Sequence, residues 1–380
     1  MKLLKKILLS FLGLIILSVG LLYLFNKDYL LKGIRITYLK GHKTAYIDDY
    51  PNFDNRTIEA GKPQAWPEHS AYNSIQATQK LQQTNEDLGT VAFLIIKNDS
   101  IWHESYAEGY SATSKTNSFS MAKSVTSALL GKAIRDGYIK NLEQPVADFF
   151  PQFDKRLTVG DLSSMASGLN WQEDYYNPFG MTAQSYLDEN IRKIILDLKV
   201  VEQPGEKFKY LSGNTELLGM VIEKATKKSL SNYLSESFWE PLGMHEDALW
   251  QLDSKESGME KAFCCLASNA RDFAKFGRLY AHQGNFRGNQ LLDSSFVKKS
   301  TAPRFAETPF YGYGFWLSNF MDKKIVVMRG ILGQYVISIP EDKVIIVRLG
   351  HQRGERLTDK KFTKDFYTYI RESYKMINLN

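Results

Sequence analysis

The longest uniform pattern in the chain lies at its start. Ile7 to Phe25 carries no charge, is interrupted only by Ser10, Ser18 and two glycines, and is preceded by Lys2, Lys5 and Lys6. At about 1.5 Å per residue such a helix covers a hydrocarbon core of about 30 Å. Ser18-Val19-Gly20 makes a poor signal-peptidase site because apolar residues continue past it. An uncleaved anchor is therefore favoured over a cleaved signal peptide, and the flanking lysines place the N-terminus in the cytoplasm and residues 27–380 across the membrane. Residues 27–88 are polar and turn-rich, yet dotted with Tyr38, Tyr46, Tyr50, Phe53 and Trp66. They read as a lead that packs on the main domain rather than as a free linker. Thr90–Ile96 is a continuous apolar run expected to be a buried strand, Asn98-Asp99 a turn, and Ile101–Glu104 the returning strand. Val125–Ile134 predicts a buried helix, Thr158–Asp161 a capping box opening another, and Asn214–Ala225 and Ala267–Gly284 two more. Apolar runs at Gly312–Leu317, Lys324–Met328, Tyr335–Ile339 and Val344–Leu349 predict a strand meander, closed by a helix over Lys360–Tyr374. A hairpin, a helical insert and a C-terminal meander imply an α+β fold. Its antiparallel sheet is formed by both chain ends and flanked by helices, behind an N-terminal transmembrane helix. The expected division is a tip and anchor over 1–26, the lead over 27–88 and one domain over 89–380.

Composition changes this picture little. With 380 residues, 43% hydrophobic and 24% charged, the chain has the make-up of a globular protein with a sizeable core. Its net charge of +6 is scattered, and no basic run alternates with aromatics, so nucleic-acid binding is not expected. The only cysteines, Cys264 and Cys265, are adjacent. Neighbours of this kind pair only with strained backbone geometry, so no disulfide framework is expected and both read as small buried side chains. The six histidines show neither H-E-x-x-H nor cysteine–histidine spacing, so no metal and no cofactor are expected.

The chemistry concentrates at Phe119-Ser120-Met121-Ala122-Lys123-Ser124. A serine opening a helix with a lysine three residues on puts hydroxyl and amine on one face. A buried, neutral amine there takes the hydroxyl proton. The helix start supplies unpaired N–H groups where an oxyanion would develop. Ser295-Phe296-Val297-Lys298 has the same spacing but lies in a polar stretch behind Asp293, and reads as a surface helix. Tyr210, on a Gly/Pro-punctuated loop before a helix, is either a general acid and base or an ordinary amphipathic packer. Arg329-Gly330-Ile331 lies between two strands. Gly330 would let the strand edge approach a ligand and Ile331 would offer its N–H as the second oxyanion donor, unless the segment is a plain glycine hairpin.

Six segments in fixed order are similar to the serine β-lactamase-like family, closest to its 6-aminohexanoate-dimer hydrolase branch. They are Phe119–Ser124, Leu162–Leu169, Pro204–Tyr210, Glu240–Met244, Ala270–Gly277 and Arg329–Tyr335. The resemblance covers about residues 75–350 and implies a β-lactamase/transpeptidase-like fold. It implies Ser120 as nucleophile, Lys123 as its proton acceptor, Tyr210 as the proton shuttle to the leaving group, and the N–H groups of Ser120 and Ile331 as oxyanion hole. Two departures stand out. The family's Tyr-x-Asn is Tyr210-Leu211-Ser212 here, and its Lys/His-Thr/Ser-Gly element is Met328-Arg329-Gly330. Both positions help hold β-lactams in penicillin-recognising members, so the departures favour an amidase or esterase on small acyl compounds or peptides. Trp171, Tyr175, Arg329 and Gly330 are the substrate-binding candidates, with core or lid packing the other reading for Trp171 and Tyr175. Peptidoglycan-directed D,D-peptidase or D-aminopeptidase action, and a silent cell-envelope binding module, are the alternative functions.

Overall fold

A computed structural model describes residues 1–378. The chain begins with helices α1 (Lys2–Leu24) and α2 (Tyr29–Ile36), strand β1 (Asn55–Ile58) and helix α3 (Gln79–Asp87). The hairpin β2 (Thr90–Lys97) and β3 (Ser100–Tyr106), the short β4 (Thr116–Asn117) and helix α4 (Met121–Arg135) follow. A mainly helical stretch holds α5 (Val159–Ser163), α6 (Met181–Leu187), α7 (Ile191–Leu196), α8 (Ser212–Thr226) and α9 (Leu230–Leu234). The chain continues through β5 (Ala248–Gln251), β6 (Leu266–Ser268), α10 (Ala270–Ala281), the small β7 (Asn285–Phe286) and β8 (Asn289–Gln290) hairpin, and α11 (Ser294–Ser300). It ends with β9 (Trp316–Ser318), β10 (Ile325–Gly330), β11 (Gln334–Ile339), β12 (Val344–Gly350) and α12 (Lys364–Ile377).

Six strands form one antiparallel sheet in the order β3-β2-β12-β11-β10-β9, so both chain ends build it, as expected. The β2–β3 turn uses Asn98 and Asp99, both left-handed at φ 50° and 60°, the geometry a two-residue hairpin requires. Both faces of the sheet are covered, which is why Val91–Ile96 is apolar without alternation. Leu94 and Ile96 share the larger core with α4, α8 and α10, while Phe93 and Ile95 share the smaller one with Phe366, Tyr369 and Ile370 of α12. A second sheet, β1-β5-β6-β4, joins the lead segment to the domain through the Arg56–Trp250 register. Elsewhere the lead is fastened by Trp66 Nε1 donating to Arg271 O (2.9 Å) and Thr78 Oγ1 donating to Glu372 (2.9 Å).

Two predicted elements change character. Ala267 and Ser268, expected to open a helix, end strand β6 instead, because Asn269 caps α10 by accepting from Asp272 N. Gly312–Phe315 is not strand either. Ser124 and Ser127 of α4 donate to the carbonyls of Gly314 and Tyr313, and a Cβ on Gly314 (φ 80°) would stand 2.3 Å from Ser127 Cβ. That segment is wrapped onto the helix that carries the candidate nucleophile. The capping box at Thr158 forms with both of its hydrogen bonds. α1 has no buried residue.

Candidate active site

Ser120 stands immediately before α4, partly exposed, on a backbone turned by Phe119 in the left-handed region (φ 47°). α4 is otherwise almost entirely buried, so its first turn is fixed by packing. Lys123 is 3% exposed, and its Nζ lies 3.1 Å from Ser120 Oγ and 2.9 Å from the carbonyl of Phe263. Both distances are hydrogen-bonded. Lys123 Nζ also faces the rings of Tyr210 (5.1 Å) and Phe263 (5.6 Å). The other serine–lysine pair, Ser295 and Lys298, has both side chains exposed on α11.

Tyr210 sits on the loop that leads into α8. Gly205 (φ 82°) donates to Ala166 O at 2.8 Å and Lys209 N to Met165 O at 2.7 Å, so the loop is pinned at two points just ahead of the tyrosine. The Tyr210 ring packs on Trp316 (5.3 Å between centroids) and edge-on to Tyr311 (6.0 Å). Hydroxyl and amine from the start of α4 and the tyrosine ring from the loop before α8 are thus brought to one place from two separate stretches of chain. Gly330 is there for a steric reason: a Cβ at this position would stand 2.3 Å from Ser118 O. The close approach seats the end of β10 against the loop of Ser120 and leaves Ile331, partly exposed, as the next residue. Gln334 steadies this turn by donating to the carbonyls of Ile331 (3.3 Å) and Gly350 (2.7 Å).

Arg329 is not with them. Its strand neighbours Met328 and Val326 join the core on the α4 side, whereas Val327 and Ile325 join the core on the α12 side. Arg329 follows the second set. Its guanidinium lies between the rings of Trp316 (4.9 Å) and Phe362 (5.2 Å) and donates to Lys361 O at 2.9 Å. It lines a cavity of about 580 Å³ with Trp316, Arg356, Lys360 and Lys361.

Trp171 is 1% exposed, its ring against the position where Gly213 would carry a Cβ (2.6 Å). It belongs to the larger hydrophobic core, the core-packing reading given for it above. Tyr175 is half-exposed, and burial, Glu173 and Tyr210 together push its phenol well above the usual value. The residue that organises this corner, Glu173, did not stand out in the sequence. Its carboxylate accepts from Trp171 Nε1 (2.7 Å), Tyr175 OH (2.6 Å), Ser212 N (2.6 Å) and Ser212 Oγ (2.8 Å). Ser212 is one of the two departures noted above, and a carboxylate two residues from Trp171 was the available signal.

The Phe263 carbonyl that receives Lys123 is itself held. Glu216 accepts from Phe263 N (3.3 Å), and Trp250 Nε1 donates to the carbonyls of Lys261 (3.0 Å) and Cys264 (3.1 Å). Burial pushes the Glu216 carboxyl well up and lowers the neighbouring Lys261 amine to about 7. Cys264 and Cys265 are buried here as expected, but their sulfurs are joined, which corrects the expectation of two unpaired thiols. The peptide between them accommodates this with Cys265 left-handed at φ 72°.

Comparison with known proteins bears on the family and the fold. The model of the Beta-lactamase family matches residues 77–367. The 6-aminohexanoate-dimer hydrolase of Paenarthrobacter ureafaciens is 24% identical over 237 residues, 58% of this chain and 59% of the relative. The chain thus matches about three fifths of that relative's length. Protein flp of Staphylococcus aureus is 26% identical over 181 residues, 43% of this chain and 35% of the relative. Among solved structures, a Bacillus anthracis protein provisionally named a 6-aminohexanoate-dimer hydrolase superposes with a TM-score of 0.72 at 22% identity, covering 91% of this chain and 93% of that one. A D-stereospecific amidohydrolase from Streptomyces gives 0.57 at 18% identity, over 72% and 94%. With its family model spanning the sheet, the helical stretch and the Ser120 helix together, the chain belongs to the Beta-lactamase family.

Proposed function

We propose that the protein is a serine hydrolase that cleaves an amide or ester through an acyl-enzyme on Ser120. The observation that carries this reading is the 3.1 Å contact between Lys123 Nζ and Ser120 Oγ at the start of a buried helix. Lys123, as the neutral amine, takes the Oγ proton while Oγ attacks the substrate carbonyl carbon. The developing oxyanion is received by the N–H groups of Ser120 and Ile331. Tyr210, packed beside Lys123, passes a proton to the leaving nitrogen or oxygen as the bond to carbon breaks. Water then attacks the acyl carbonyl with the same groups acting in reverse, and Ser120 is restored. Tyr175, held by Glu173, forms part of the wall beside Tyr210, and α1 anchors the domain outside the membrane.

Intact-mass analysis after exposure to a fluorophosphonate, a p-nitrophenyl ester and a β-lactam tests the core of this. One adduct mass is expected with the fluorophosphonate, absent in Ser120→Ala, together with loss of ester turnover. An alanine variant that hydrolyses ester at the wild-type rate would remove Ser120 from the role. Ser212 is engaged with Glu173 and Arg329 faces the other side of the sheet, so neither is free to hold a β-lactam. Cephalosporin turnover well below about 10 s⁻¹, a median enzyme value, is therefore expected.

A further inference from the structure

The wall of the active site and the first helix beyond α1 are packed as one unit. Tyr29 of α2 is buried, and its hydroxyl donates to Pro178 O at 3.0 Å. A Cβ on Gly33 would stand 2.8 Å from Leu187 Cδ1, so α2 lies directly against α6, which follows the Asn170–Gly180 segment. What this unit leaves uncovered is apolar. Ile34, Tyr38 and Leu39 are 45%, 61% and 78% exposed, and Tyr176 and Phe179, on either side of Asn177-Pro178, are 85% and 60% exposed. Single exposed apolar side chains are ordinary, but here five fall within Ile34–Leu39 and Tyr176–Phe179, two stretches linked through Tyr29 and Pro178.

Its charge points the same way. From Lys27 to Lys43 the chain carries Lys27, Lys32, Arg35, Lys40 and Lys43 against Asp28 alone. Lys32 and Arg35 share a cleft of about 310 Å³ with Asp188 and Glu189 at the end of α1, next to Tyr23. No ion pair within 4 Å engages Lys27, Lys40 or Lys43 among the described residues. α1 ends at Leu24 and α2 begins at Tyr29. Such a connection reaches no further than about 3.3–3.6 Å per residue, so a membrane-spanning α1 holds α2 at the level of the headgroups. Aromatic side chains settle at that level, and basic residues are attracted to anionic lipid.

We propose that α2 and the Tyr176–Phe179 tip form a membrane-contacting face whose partner is the headgroup layer of an anionic bilayer. The inference rests on reading α1 as a membrane span. Through Tyr29 and Pro178 it ties the segment that carries Tyr175 to the lipid surface. The test uses the full chain reconstituted in phosphatidylcholine vesicles with and without phosphatidylglycerol. Phe179→Cys, Leu39→Cys and, in the β11–β12 turn, Lys343→Cys are each labelled with an environment-sensitive fluorophore; the native cysteines are buried. Spin-labelled headgroups should quench positions 39 and 179 several-fold more than position 343, and more strongly with phosphatidylglycerol present. Equal quenching at all three positions, in a chain that resists carbonate extraction, would overturn the face while leaving the anchor standing. Equal quenching at 39 and 179 with and without phosphatidylglycerol would overturn its preference for anionic lipid. A chain released by carbonate would overturn the anchor, and this face with it.

Discussion

A methyl group at position 330 would stand 2.3 Å from the carbonyl of Ser118, two residues before the candidate nucleophile. Gly330→Ala is therefore expected to push β10 away from Ser120 and slow fluorophosphonate labelling sharply while the circular dichroism spectrum stays unchanged. Labelling at the wild-type rate would mean that this approach does not serve the chemistry. Lys123→Ala should slow acylation by several powers of ten, since an unassisted hydroxyl is a poor nucleophile at neutral pH. Tyr210→Phe should cost about 10²–10⁴-fold, the usual range for a positioned acid–base group, and more on amides than on activated esters. Equal losses on both substrates would take Tyr210 out of the leaving-group role. At this scale the sequence was informative where spacing alone fixes geometry. Ser120 and Lys123 share a helix face at any setting of the rest of the fold. Glu173 is different: its four hydrogen bonds depend on where the Asn170–Tyr175 segment lands against α8, and no local pattern encodes that. Arg329 shows the same limit, because the side of the sheet it faces follows from which alternate residues meet α12.

Elements with strong periodicity were legible: the apolar runs of β2, β11 and β12 emerged as strands, and α4 and α8 as buried helices. The exceptions are stretches where tertiary contact overrides local preference, as at Gly312–Phe315, whose carbonyls are taken by the hydroxyls of α4. Polar ties between elements were invisible for the same reason. The strongest joins β3 to α10: Glu104 accepts from Arg271 Nε (2.9 Å) and pairs with its Nη2, and also accepts from Tyr106 (2.7 Å) and Tyr72 (2.8 Å). Burial alone would raise the Glu104 carboxyl, but these partners outweigh it and hold the group below the usual carboxylate range. A depressed folded-state value means the tie stabilises above the unfolded value, near about 4.3, and fades as pH falls through the folded one. Glu104→Gln should lower stability at pH 7 by about 1.5–3 kcal/mol, the worth of hydrogen bonds to a charged group. In urea titrations the gap to wild type should close below pH 4. A gap that persists unchanged into acid would show that packing, not charge, sets the cost.

For the whole molecule, the proposed topology predicts that protease added to spheroplasts digests the domain and spares a short N-terminal fragment. A soluble protein beginning after Gly20 would show cleavage instead. The six-stranded sheet has a further consequence for how the molecule comes into being. Its second strand pairs with β12, so Ala92 meets Leu349 across most of the chain's length. A polypeptide made from its N-terminus presents Ser120 and Lys123 long before Gly330 and Ile331 exist. The Phe263 carbonyl that holds Lys123 also arrives late. On the proposed site and topology, a nascent chain threading outward would carry Ser120 and Lys123 with neither partner strand nor second oxyanion donor until the last strands have emerged. Such delayed ripening would protect whatever acyl compounds surround the export machinery from a half-made hydrolase. A ribosome-bound chain truncated at Lys343, before β12, should accordingly remain unlabelled by fluorophosphonate, whereas one released at full length should react. Labelling of the truncated chain at the full-length rate would show that the pair arms itself without its closing strands.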